Sequence, residues 1–128
     1  MQTPSKLLCA AALALGLGAS AFAGDTTSAT RTMAHIMINM NHYPQESEKA
    51  KLKQIAESTS ATTAEHILAT SLLNVNHKIR QEDKPMLRRV MTSAASSETE
   101  RQLAKALFRL KHRVSDKDKE VLSQLADH

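Results

Sequence analysis

The sequence predicts an all-α domain of about six helices, arranged as three tandem 35-residue α-hairpin repeats. The first observation is a histidine column, because His42, His77 and His112 are spaced 35 residues apart. The second is that further columns keep this register: Ala34, Ala69 and Ala104; Leu52, Leu87 and Leu122; Ile55, Val90 and Leu125. The third is that no stretch alternates apolar and polar residues as a strand does. Such a repeat is one supersecondary unit whose apolar face is buried by its neighbours, either in an open helical array or in a compact bundle.

Residues 1–23 have the pattern of a secretory signal peptide. Lys6 gives a positive start, Leu7 to Leu17 is an apolar run, and Ala21-Phe22-Ala23 matches a small-x-small cleavage site. The run is too short and wrongly flanked for a spanning helix. We therefore expect export, with the mature protein in the periplasm or secreted.

The single cysteine, Cys9, lies within this signal. It does not fit a lipid attachment site, because Leu8 before it is not small and most of the apolar run follows it. Cleavage after Ala23 leaves a cysteine-free domain, which must be held by packing alone in an oxidising compartment. The expected domain covers residues 24–128, with repeats at about 24–58, 59–93 and 94–128.

Each repeat is predicted to contain a helix A, a short turn and a helix B. Capping boxes, complete in two copies and half-matched in the first, mark the start of helix A: Thr62 with Glu65, Ser97 with Glu100, and Thr27 with Thr30. The apolar positions continue at helical spacing to Ile79 and Val114, so helix A is expected to reach the histidine. Helix B is expected to start near Pro85 in the second copy and behind the cap Ser115 in the third.

Met33, Met37 and Met40 lie beside His35 and His42, a set of soft ligands that suits Cu(I). The repeat allows a direct comparison, because the same columns hold plain apolar residues elsewhere: Leu68, Leu72 and Val75; Leu103, Leu107 and Leu110. We therefore predict that the methionines are core residues and that His35 is exposed.

The histidine column leaves two interpretations open. A structural one places each ring in the last turn of helix A, where free carbonyls and the helix dipole favour it. The other is a zinc or copper site formed by His42, His77 and His112, whose rings must then converge on metal bonds of about 2.0–2.1 Å. Helices packed roughly 8–10 Å apart in an open array would place the rings in a row. Only a closed, pseudo-threefold bundle would bring them together, and we favour the structural interpretation.

A basic stripe in the third copy is a second candidate site, made of Arg101, Lys105, Arg109, Lys111 and Arg113. It could contact an acidic partner or, weakly, an anionic membrane surface, although an ordinary solvated face is the simpler interpretation. Removing Lys6 from the 17 basic residues leaves 16 against 13 acidic ones, a net charge of +3. This mild charge and the scarcity of aromatic residues do not suit a nucleic-acid binder.

No enzyme signature is present, because the mature chain has no cysteine, no HExxH motif and no glycine beyond Gly24. The 35-residue period is similar to that of tetratricopeptide-class arrays, but their Trp, Gly and Tyr landmarks are missing. The stretch from Val114 to Leu122 is similar to helix starts of small periplasmic helical chaperones. The sequence thus predicts a non-enzymatic, exported interaction or stress-protective module for another protein, needing no cofactor. The alternative is zinc or copper binding through the histidines.

Export and cleavage predict that the mature protein begins at Gly24. Intact-mass measurement of the exported form is expected to give the mass of residues 24–128. Retention of residues 1–23, or a lipid on Cys9, would contradict this prediction.

Overall fold

The computed structural model describes residues 26–127, which form six α-helices and no β-sheet, as the sequence predicts. The helices are α1 (Ser28–Asn39), α2 (Glu46–Glu57), α3 (Thr63–Leu73), α4 (Lys84–Thr92), α5 (Glu98–Phe108) and α6 (Asp116–Ala126). A short 3-10 turn, Gln81–Asp83, precedes α4. The predicted signal peptide, its cleavage site and Cys9 lie outside the described residues.

The helix starts follow the capping chemistry of the sequence. The boxes of Thr62 with Glu65 and of Ser97 with Glu100 are both formed. The half-matched first box is also complete: the Thr30 N–H donates to Thr27 Oγ1 (3.1 Å) and the Thr27 N–H donates to Thr30 Oγ1 (2.8 Å). In helix B of the third repeat, the Ser115 hydroxyl accepts from the backbone of Asp118, and Pro85 occupies the first turn of α4.

The repeats close into a ring. Each helix B packs most closely against helix A of the next repeat, so α2 lies on α3 and α4 on α5. The last helix, α6, returns to pack on α1 in the same way. The structure is therefore the compact, pseudo-threefold alternative, and the expectation that an open array would set the histidines in a row does not apply.

Helix A ends earlier than the apolar pattern predicts. The three copies stop at Asn39, Leu73 and Phe108, before the histidines, so the prediction that each histidine lies in the last helical turn is wrong. Val75 and Ile79 lie beyond the helix yet are buried to 4% and 2% exposure. Their apolar character reflects burial in the core rather than helical structure.

Side-chain hydrogen bonds connect the end of helix A to the start of helix B in the second and third repeats. The Asn74 amide donates to Asp83 Oδ2 (3.3 Å), and the Arg109 guanidinium donates to both carboxylate oxygens of Asp118. In each case the residue that ends helix A is joined to an acidic residue near the start of helix B. These bonds fix the span of chain that carries the histidine.

At the opposite pole from the turns, the helix A starts of neighbouring repeats are linked. The Thr27 hydroxyl donates to Glu65 Oε2 and the Thr62 hydroxyl donates to Glu100 Oε2, both at 2.6 Å. The two carboxylates are buried, and each also accepts a backbone N–H within its own capping box. Thr30 occupies this column in the first repeat, so two of the three repeats place a carboxylate here.

The core is made of the repeated columns. Met33, Met37 and Met40 are buried with their leucine and valine equivalents, and His35 is exposed, as predicted. The column members that are fully buried include Ala34, Ala69 and Ala104; Leu52, Leu87 and Leu122. The methionines are therefore part of one continuous apolar core.

Leu87 and Met37 provide a test of this core, because both are fully buried. Leu87→Ala is expected to lower the free energy of unfolding by about 2–5 kcal/mol, since it leaves a cavity. Met37→Leu is expected to lower it by less than about 1.5 kcal/mol, since volume is nearly kept. Urea unfolding measures both. Equal losses in the two variants would contradict the assignment of Met37 as an exchangeable core residue.

Candidate metal centre

The three repeated histidines lie at the tips of the turns between helices A and B. Their φ angles are 77°, 73° and 64°, in the left-handed region. This conformation is uncommon outside glycine, although histidine tolerates it better than most residues. The backbones of the two residues that flank each histidine lie antiparallel to each other: Asn41 and Tyr43, Asn76 and Lys78, and Lys111 and Arg113. His112 is the central residue of a three-residue turn, because the Arg113 N–H donates to the Lys111 carbonyl (2.6 Å), and such turns with positive φ are rare and strained.

Backbone hydrogen bonds join the three histidines in a closed ring. The His42 N–H donates to the His112 carbonyl (2.6 Å), the His77 N–H to the His42 carbonyl (2.7 Å), and the His112 N–H to the His77 carbonyl. Every bond of this ring crosses from one repeat to another. Left-handed backbone in a residue with a Cβ costs of the order of 1–3 kcal/mol. Hydrogen bonds of roughly 0.5–1.5 kcal/mol each offset part of that strain.

The imidazole rings converge above this backbone ring. The Nδ1 atom of His42 lies 3.0 Å from Nδ1 of His77 and 3.2 Å from Nδ1 of His112. The ring centroids are 4.7–5.4 Å apart and the rings meet edge to face. One ligand atom from each histidine lies within 4.8 Å of the others. Three imidazoles contributed by three repeats therefore share one small volume.

The two nitrogen–nitrogen distances from His42 are close to those of a metal centre. Three nitrogens bound tetrahedrally to zinc at about 2.0–2.1 Å are roughly 3.3 Å apart. His42 is half-buried and the other two histidines are exposed, so solvent reaches the cluster. The buried side of each turn begins at Met40, Val75 and Leu110, two residues before each histidine. A bound ion would thus have protein on one side and an open coordination position toward solvent.

Hydrogen bonds between the rings cannot account for both of the close contacts that His42 Nδ1 makes. A neutral imidazole nitrogen carries either one proton or one lone pair, so His42 Nδ1 can form one good hydrogen bond. It nevertheless has two nitrogen neighbours, from His77 and His112, at hydrogen-bond distance. A cation that accepts all three lone pairs removes this conflict.

The predicted basic stripe does not form one free face. The Arg101 guanidinium donates to Glu98 Oε1 (3.3 Å) and to the Ser93 carbonyl (3.2 Å). Gln102, which donates to the same carboxylate, and then Arg101 lower the pKa of Glu98 below its ordinary value.

The other stripe members have separate surroundings. Arg109 is bonded to Asp118, and Lys105 is half-buried. Lys111 and Arg113 are exposed, but they lie on either side of His112. They therefore belong to the end of the domain that carries the turns of His42, His77 and His112, which we call the histidine pole.

Sequence reasoning omitted Lys78 from the candidate residues. It follows His77 directly, is exposed, and forms a backbone bridge with Lys111 across repeats. The helical spacing used to find the stripe cannot detect Lys78, because it lies in a turn of another repeat. Its position beside a repeated histidine is the signal that would have found it.

Comparison of the chain with protein-family models, with known proteins and with solved structures gives no match. The functional argument therefore depends on the geometry of the site. Among residues 26–127, no helix is both long enough and apolar enough to cross a membrane.

Substitutions at His77 test, in metal-free protein, whether the backbone of this turn is strained. His77→Gly is expected to change the free energy of unfolding by less than about 1 kcal/mol, because relief of strain offsets the greater entropy of unfolded glycine. His77→Val is expected to lower it by about 1–3 kcal/mol, because a β-branched residue fits this backbone poorly. Urea unfolding with a chelator measures both. Equal destabilisation would show that lost ring contacts, not the backbone, dominate.

Proposed function

We propose that the protein binds one transition-metal ion, with zinc the best fit, through Nδ1 of His42, His77 and His112. The observation that supports this proposal is the convergence of the three rings: His42 Nδ1 lies 3.0 and 3.2 Å from Nδ1 of His77 and His112, and one ligand atom of each histidine lies within 4.8 Å of the others. Neutral imidazole is a common ligand of zinc and copper. Three nitrogens plus one outward position match the tetrahedral preference of zinc. Cu(II) prefers tetragonal geometry, and the methionines that would attract Cu(I) are in the core.

The proposed role is reversible metal holding outside the cytoplasm, consistent with the export expected from residues 1–23. The three repeats already meet through the backbone ring and the apolar core, so the fold has contacts that do not depend on an ion. An ion bound by all three repeats would still stabilise ring closure by mass action. Its open position would allow ligand exchange, which a protein that accepts and releases metal requires.

A second proposal is the non-enzymatic interaction module for another protein. It is supported by two grooves, of about 530 and 450 Å³, at equivalent places between the first and second repeats and between the second and third. Thr27, Ile55 and Ser58 line the first, and the residues 35 positions later line the second. If metal ions did not change the stability of the wild-type protein, the interaction module would be favoured over metal binding.

Metal binding predicts a stabilisation of wild-type protein that rises with ion concentration, by about 2.7 kcal/mol at 100 times the dissociation constant. Untagged protein is melted with and without Zn²⁺ or Cu²⁺. Because one ion needs all three rings, His42→Gln, His77→Gln and His112→Gln are each expected to remove most of the shift. Adding the other two substitutions to any one of these variants should reduce the metal-dependent shift only a little further. The shift is expected to fade below about pH 6, since a ligating imidazole must be neutral.

The matched control is His35→Gln, because His35 is an exposed histidine outside the cluster. This variant should keep the full metal response. Losses of stability that add across the three cluster variants, with no metal effect in wild type, would support the structural role of the histidines instead. An equal loss of response in His35→Gln would show non-specific surface binding.

A further inference from the structure

Three cations flank the histidines of the second and third repeats in the chain. Lys78 follows His77, while Lys111 and Arg113 lie on either side of His112, and all three cations are exposed. The backbone bridge between Lys78 and Lys111 brings two of them together from different repeats. Like charges placed opposite each other in this way are destabilising. Among residues 26–127, none of the three has an ion-pair partner within 4.0 Å.

Metal binding would increase the positive charge of this pole. Three neutral imidazoles leave the charge of a divalent ion uncompensated, and an ion's own charge is often the largest in a site. A second copy of the chain would present the same positive pole, so charge repulsion disfavours a metal-bridged dimer. Charge complementarity favours an anion.

The arrangement also indicates the kind of anion. The open coordination position of the ion would take one oxygen donor, and the long, exposed side chains of the neighbouring cations leave further oxygens of the same group available for charge-assisted bonds. A carboxylate has two oxygens, whereas a phosphoryl group has at least three that can contact the metal, the lysines and the arginine together. Arginine and lysine are both common phosphate ligands, the former through paired N–H donors.

We propose that the metal-loaded histidine pole is a phosphoryl-binding site, in which one oxygen binds the ion and others bind Lys78, Lys111 and Arg113. This inference rests on the proposed metal binding. The phosphoryl group can come from free phosphate or from an anionic lipid headgroup, because both present the same oxygens.

The experiment uses full-length mature protein carrying one zinc per chain, verified by metal analysis, in a buffer without phosphate. Calorimetric titration with inorganic phosphate is expected to show binding at least about tenfold tighter than to the metal-free protein, and tighter than acetate. Flotation with vesicles containing phosphatidic acid, with and without competing phosphate, distinguishes the two sources. Zinc-dependent binding of either source supports the proposal.

The test variant is the triple substitution Lys78→Gln, Lys111→Gln and Arg113→Gln. It is expected to retain zinc binding and to lose at least about tenfold in phosphate affinity, because three charge-assisted contacts are removed. Lys53→Gln, an exposed lysine on α2, is the matched control and should behave as wild type. The single variant Lys111→Gln, with a smaller expected loss, is used if the triple variant melts abnormally.

The outcomes separate the two proposals. No zinc binding in wild type would overturn both the proposed function and this inference. Zinc binding without phosphate binding, or with equal phosphate affinity in the variants, would overturn the inference alone. Phosphate binding that persists without zinc would show that the cations act independently of the metal, which also contradicts it.

Discussion

The ring of three backbone hydrogen bonds among His42, His77 and His112 is the constraint on which the rest of the structure depends. Each bond needs the N–H of one repeat and the carbonyl of another to meet at the pseudo-threefold axis. This is possible because all three residues adopt positive φ, which turns the chain sharply between the two helices. The same ring that joins the repeats also places three imidazoles side by side. The contacts that close the fold are therefore the same contacts that form the candidate site.

Different hydrogen bonds join the three repeats at the two ends of the domain. At the histidine pole, identical residues form a complete backbone ring. At the other pole, threonine hydroxyls bond to the buried carboxylates of Glu65 and Glu100, and Thr30 stands in the third position. The bonds of the histidine pole thus repeat in all three copies, whereas a threonine–carboxylate bond is formed by the first and second copies only, among residues 26–127.

Backbone strain and the candidate metal site occur at the same three residues. Glycine would fit positive φ without penalty, so backbone geometry alone does not call for histidine at three turns. Residues with strained backbone cluster at binding sites, where the rest of the fold holds them in place. The polar bonds of Asn74 to Asp83 and of Arg109 to Asp118 provide that support beside two of the turns. Beside two of the turns, Lys78, Lys111 and Arg113 have no ion-pair partner within 4.0 Å among residues 26–127, so these cations do not stabilise the turns through ion pairs.

The sequence by itself determined the local features of this protein. Capping boxes, helix B starts and the buried columns were predictable, because they depend on residues three or four apart and on comparison between copies. The end of helix A was not, since Val75 and Ile79 are apolar for burial and periodicity does not distinguish burial from helix. Only the tertiary structure decided that the repeats close and that His42, His77 and His112 meet. Closure depends on the rotation from one repeat to the next, summed over the whole chain, and no local pattern encodes that sum.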